Sequence, residues 1–74
     1  MIIEISDIFL YNSNLEKITH VDIADKTTVE EIIENLSVKN TNYALILIND
    51  KVAQKNDVVY NNDKITILPI CGGG

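Results

Sequence analysis

Hydrophobic residues in this chain gather in short clusters set apart by polar stretches, and the spacing inside a cluster changes along the sequence. Residues 1–10 are largely apolar and β-branched, which predicts a first strand. Tyr11-Asn12-Ser13-Asn14 then supplies a turn cluster. Residues 17–23 alternate, with Thr19, Val21 and Ile23 on one side and Ile18, His20 and Asp22 on the other, more exposed side, as in a second strand. The period then shifts. Val29, Ile32, Ile33 and Leu36 stand at helical spacing, with Glu30, Glu31, Glu34 and Asn35 filling the opposite face. Thr28 followed by Glu31 has capping-box spacing, and the acidic first turn suits the helix dipole. A helix of about 13 Å does not persist alone in water, so its apolar stripe must dock on a sheet.

Residues 43–48 contain the unbroken run Ala44-Leu45-Ile46-Leu47-Ile48, the pattern of a central strand covered on both faces. Asn49-Asp50 turns the chain, and Val52-Ala53 reads as a very short strand. Val58, Val59 and Tyr60 pack against something, and Asn61-Asn62-Asp63 is a firm turn signal. Residues 64–70 form the last strand, with Ile65 and Ile67 alternating against Thr66 and Leu68. Pro69 cannot donate to a sheet ladder, so pairing should end near it. The order strand, strand, helix, strand, short segment, strand predicts an α+β fold, a mixed sheet of four to five strands with one helix packed across one face. This is the β-grasp (ubiquitin-like) arrangement. By analogy with that fold, the first and last strands lie parallel in the middle of the sheet.

Glycine is absent from every turn. All three glycines are Gly72, Gly73 and Gly74, whereas average usage of about 7% would scatter roughly five along such a chain. Asn and Asp take the turns instead. A triple glycine cannot pack, but it can lie in a narrow channel where any Cβ would clash. Residues 71–74 extended span about 13–14 Å, enough to carry a terminal carboxylate into a site on another protein. The expected organisation is thus a β-grasp domain over 1–70 and a glycine tail over 71–74.

Composition narrows the partners. Seventy-four residues make one domain with a thin core, and 46% apolar content suffices for it. A single Cys excludes an intramolecular disulfide. Eleven acidic residues against six lysines, with no Arg, give a net charge of −5. That balance argues against nucleic-acid binding and favours a partner with a basic surface. No apolar run approaches membrane-spanning length, and no signal peptide is legible, so a cytoplasmic protein is expected.

With these pieces in place, the whole chain resembles the MoaD/ThiS family of ubiquitin-like sulfur carriers. The resemblance rests on Thr27-Thr28-Val29-Glu30-Glu31-Ile32-Ile33 at the helix start and Leu47-Ile48-Asn49-Asp50-Lys51-Val52 after the third strand. It is completed by Asn61-Asn62-Asp63-Lys64-Ile65, similar to the family's Asp-Gly-Asp turn, and by Ile67-Leu68-Pro69-Ile70-Cys71-Gly72-Gly73-Gly74. The resemblance implies that Gly74 bears first an adenylate and then a thiocarboxylate, with Gly72 and Gly73 giving the tail clearance. It implies two partners: a ubiquitin-activating-like adenylating enzyme that uses ATP, and a sulfur-accepting synthase. That synthase is the molybdopterin synthase large subunit or thiazole synthase. The chain itself is then a protein cosubstrate and not an enzyme, with no bound cofactor and no metal. Departures are Asp50 and Asn62 where the family often has Gly, and the extra Gly72 and Cys71 before the usual terminal pair. The long first two strands resemble the molybdopterin branch, and the short stretch 36–43 resembles the thiamine branch.

Two readings stand for Cys71: a thiol that links to a partner or attacks the activated tail, or a filler of a small apolar slot. His20 has no Cys or acidic residue at ligand spacing and is expected as an exposed strand residue. The glutamates at 30, 31 and 34 form a solvated helix face or a docking strip for a basic enzyme. Phe9, Leu68, Pro69 and Ile70 are the expected partner interface, because a sheet face without a helix must meet water or a partner. The alternatives to a sulfur carrier are a ubiquitin-like modifier that ends in an isopeptide bond to lysine and a β-grasp binding module without tail chemistry.

Overall fold

A computed structural model describes residues 1–10, 15–36 and 44–70. The turn cluster at 11–14, Tyr43 and the glycine tail with Cys71 lie outside the described residues. The strands are β1 (Ile2–Ile5), β2 (Ile18–His20), β3 (Lys26–Thr28), β4 (Ala44–Ile48), β5 (Lys51–Ala53), β6 (Val58–Tyr60) and β7 (Lys64–Pro69), and the helix α1 is Val29–Leu36. Five strands form one mixed sheet in the order β2-β1-β7-β4-β5, while β3 and β6 pair in a small sheet of their own. β1 and β7 run parallel, Ile3 opposite Ile65 and Ile5 opposite Ile67, as the fold analogy implies.

Alternation explains the core. Ile3, Ile5, Ile65 and Ile67 are fully buried and share the sheet face on which Val29, Ile32 and Ile33 of α1 are also buried. Leu36 packs against this cluster from the helix end. The second strand alternates as expected, Thr19, Val21 and Ile23 being half-buried and Ile18, His20 and Asp22 exposed.

The helix start satisfies its free amides in three ways. The Val29 and Glu30 N–H groups donate to the Asp57 and Lys55 carbonyls at 3.1 and 2.9 Å. The Glu31 N–H donates to Thr28 Oγ1 at 3.3 Å. This is half of a capping box. The Glu31 carboxylate accepts from Thr27 Oγ1 at 2.8 Å and does not turn back to the Thr28 amide. Thr28→Ala is expected to cost about 1 kcal/mol, read as a lower urea midpoint with an unchanged slope.

Three expectations are corrected. The first strand ends at Ile5, and residues Asp7–Phe9 coil into a 3-10 turn closed by Phe9 N–H to the Ser6 carbonyl at 3.0 Å. Phe9 and Leu10 both pack against the core. Neighbours in a strand point to opposite faces, so an extended chain could not bury both. Second, β4 is not covered on both faces, its Leu45 and Leu47 being only half-buried. Ile65, Thr66 and Ile67 are all buried, whereas in β4 only Ile46 is. Third, Lys26–Thr28 is a strand that the sequence pattern does not announce. It pairs antiparallel with β6, whose middle residue Val59, opposite Thr27, is fully buried.

The turns show why glycine can be spared. Asn49 and Asp50 take φ of 51° and 70°, the left-handed pair of a two-residue hairpin. The Asn49 side chain donates to Asp63 Oδ1 at 2.8 Å and accepts from the Lys64 N–H at 3.0 Å. Asp63 Oδ2 in turn accepts from the Tyr60 N–H at 2.9 Å. Among the described residues no other non-glycine has positive φ, so Asn62 sits without strain. Asn61 clamps the loop before β3, accepting from the Ile23 N–H at 2.8 Å and donating to the Ile23 carbonyl.

Candidate functional site

β7 is the central strand, held by β1 on one side and β4 on the other, and its last pair is Pro69 with Ala44. Ile70, the last described residue, therefore follows directly on a strand anchored along its length, and in the sequence two residues separate that strand from Gly72.

The same registers define the sheet face that α1 does not cover. Residues directly opposite one another share a face. Leu68 stands opposite Leu45, and Leu47 stands opposite both Thr66 and Val52. On the far side of β7, Ile2 and Ile18 lie on this face of β1 and β2. Ile2, Ile18 and Val52 are exposed, while Leu45, Leu47 and Leu68 are half-buried. This explains the unbroken run of β4. Ala44, Ile46 and Ile48 face the helix, and Leu45 and Leu47 face outward into an apolar surface rather than a second core layer. Glu4, Thr66, Lys64 and His20 share this face, so Leu45, Leu47, Leu68 and Val52 form one apolar group, and Ile2 and Ile18 stand across Glu4, Thr66 and Lys64 from it. Exposed apolar groups of this kind make the face a candidate interaction surface.

The four residues expected at the interface separate. Leu68 lies on the helix-free face, and Ile70 follows β7 with 54% of its surface exposed. Pro69 is half-buried and shares the helix side with Ala44. Phe9 is half-buried against the core in the 3-10 turn. Ile2, Leu45, Leu47 and Val52 also belong to the surface, and the sequence reading misses them. Alternation marks each of them, but only the order of the strands shows that they meet.

His20 is exposed on the rim of this face, opposite Ile2. Among the described residues no group of three His, Cys, Asp or Glu side chains could hold a metal ion. Glu30 and Glu34 are exposed on α1, on the other side of the sheet. Among the described residues no helix is long and apolar enough to cross a membrane.

The family model of the ThiS family matches residues 9–74. Among solved structures, the chain is similar to a thiamine biosynthesis protein (ThiS) from Geobacter metallireducens. The likeness covers 100% of both chains at 23% identity, with a TM-score of 0.66. At that identity it supports the β-grasp fold and no more. No curated protein sequence matches significantly. A family match that begins in the turn after β1 and runs through the terminal glycines leaves one conclusion: this chain belongs to the ThiS family, within the MoaD/ThiS ubiquitin-like sulfur carriers.

Proposed function

We propose that the protein carries sulfur on its C-terminus for thiazole formation in thiamine biosynthesis, with Gly74 as the attachment point. The observation that carries this reading is the family match through residue 74, which includes Gly72, Gly73 and Gly74. The chemistry follows from the weakness of a carboxylate as an electrophile. An adenylating enzyme joins the Gly74 carboxylate to the AMP part of ATP, with pyrophosphate leaving. A sulfur nucleophile then attacks the acyl carbon, AMP departs, and a thiocarboxylate remains. The partner supplies ATP and the electrostatic stabilisation; this chain supplies a reactive end that fits a narrow channel. The sulfur-accepting synthase is the second partner, and the helix-free face is the surface on which the adenylating enzyme docks.

Intact mass after incubation with ATP, a sulfur donor and a cognate adenylating enzyme tests the reading. The expected result is a gain equal to one oxygen exchanged for sulfur. No gain, with the same enzyme active on another carrier, would turn the assignment toward a modifier or a binding module. Transfer of the loaded sulfur to thiazole synthase, and not to the molybdopterin synthase large subunit, is the expected branch. The docking face has its own test. Ile70→Asp should slow loading by roughly tenfold or more while leaving thermal stability near wild type. Unchanged loading would remove this face from the reading.

A further inference from the structure

One carboxylate stands on the helix-free face, between its two apolar groups. Glu4 of β1 lies opposite Ile18 of β2 on one side and Thr66 of β7 on the other. It is half-buried, and among the described residues no hydrogen bond or ion pair reaches its carboxylate. Glu4 lines a surface hollow of about 280 Å³ together with Ser6, Asp7, Lys17 and Leu68, next to the end of β7. Lys17 shares that hollow, and the exposed Lys64 stands on the same face opposite Ile2 but outside the hollow; neither forms an ion pair among the described residues, and two carboxylates against one ammonium leave the hollow net negative.

In the free protein water solvates Glu4. A partner laid over the face removes that water, and a carboxylate covered by apolar surface without a counter-charge is strongly unfavourable. The surface therefore accepts only a partner that replaces the water with a donor. We propose that the protein docking on the helix-free face inserts a basic side chain, Arg or Lys, into this hollow to pair with Glu4. Leu68 offers an apolar wall for the aliphatic stem of such a side chain, whose charged head then reaches the carboxylates. The overall charge of −5 assists its approach. Identifying the docking protein as the adenylating enzyme rests on the function proposed above; the need for a cation rests on Glu4 alone.

The test is calorimetric titration of the adenylating enzyme with the intact protein, as wild type, Glu4→Gln, Glu4→Leu and Lys17→Met. Thermal melts confirm that each variant is folded. Glu4→Gln is expected to weaken binding by at least about tenfold, and Glu4→Leu by at least as much. Lys17→Met is expected to bind no more weakly than wild type. Tighter binding by Glu4→Leu would overturn the proposal, since it would mean that the face is covered without a cation. So would unchanged binding by Glu4→Gln, or a Lys17→Met loss equal to that of Glu4→Gln, which would make Lys17 the counter-charge. Sulfur loading of the wild type in the same preparation separates the two readings. If wild type fails to load, the carrier function falls; if it loads and Glu4→Gln binds normally, only the basic contact falls.

Discussion

Deleting Gly74 is expected to abolish the oxygen-for-sulfur mass gain outright while leaving the domain as stable as the full chain. The two halves of this result have separate causes. Loading needs a terminal carboxylate delivered to a reactive centre on another protein, and shortening the tail withdraws it. An error of about 1 Å in placing a reacting group can cost about a hundredfold in rate, and one extended residue spans roughly 3.5 Å. Stability has another source. Glycine has no side chain to bury, and the core cluster is made of residues between Ile3 and Ile67. The change in unfolding free energy should stay within about 0.5 kcal/mol, a few degrees in melting temperature at this size. Intact mass and a thermal melt on one sample check both halves. A large loss of stability would mean that the tail is part of the fold, and retained loading would mean that the chemistry lies elsewhere.

Ile67→Ala is expected to have the largest effect on stability, about 3–4 kcal/mol. Ile67 is fully buried at the middle of the central strand, flanked in register by Ile5 of β1 and Ile46 of β4. Truncation there opens a cavity that neighbours on both sides cannot fill, because their own positions are set by the ladders. A chain of this length has a total stability of only about 4–11 kcal/mol, so the variant should melt roughly 10–30 °C lower. Urea unfolding with an unchanged slope would show that the native state, and not its compactness, has been weakened. A loss below about 1 kcal/mol would contradict the placement of β7 at the centre. Sulfur loading below the melting transition should be retained, since Ile67 faces the helix and the docking face lies behind it.

The elements legible in the sequence are those whose information is local. α1 is announced by the spacing of Val29, Ile32, Ile33 and Leu36 and by Thr28 at its start, and it begins and ends within those residues. Asn49-Asp50 declares a hairpin because these residue types tolerate left-handed backbone, and Pro69 marks the end of β7 because it has no amide to donate. The glycine tail stands out by composition alone.

The small sheet of β3 and β6, the 3-10 turn at Asp7–Phe9 and the centrality of β7 are not local facts. A strand of three residues contains no period to read. Phe9 and Leu10 look like more strand until the core requires both of them at once. The run Ala44-Leu45-Ile46-Leu47-Ile48 cannot show whether its second face meets another layer or water, since burial depends on what packs there and not on the residues themselves. The helix-free face is the sharpest case. Its apolar residues come from every strand of the main sheet, and only the hydrogen-bond registers show that they share one face. Chain chemistry thus specifies the helix, the turns and the reactive end, because each depends on contacts within a few residues. Long-range pairing specifies which strand lies at the centre of the sheet and which residues share its helix-free face, because those depend on contacts across the whole chain.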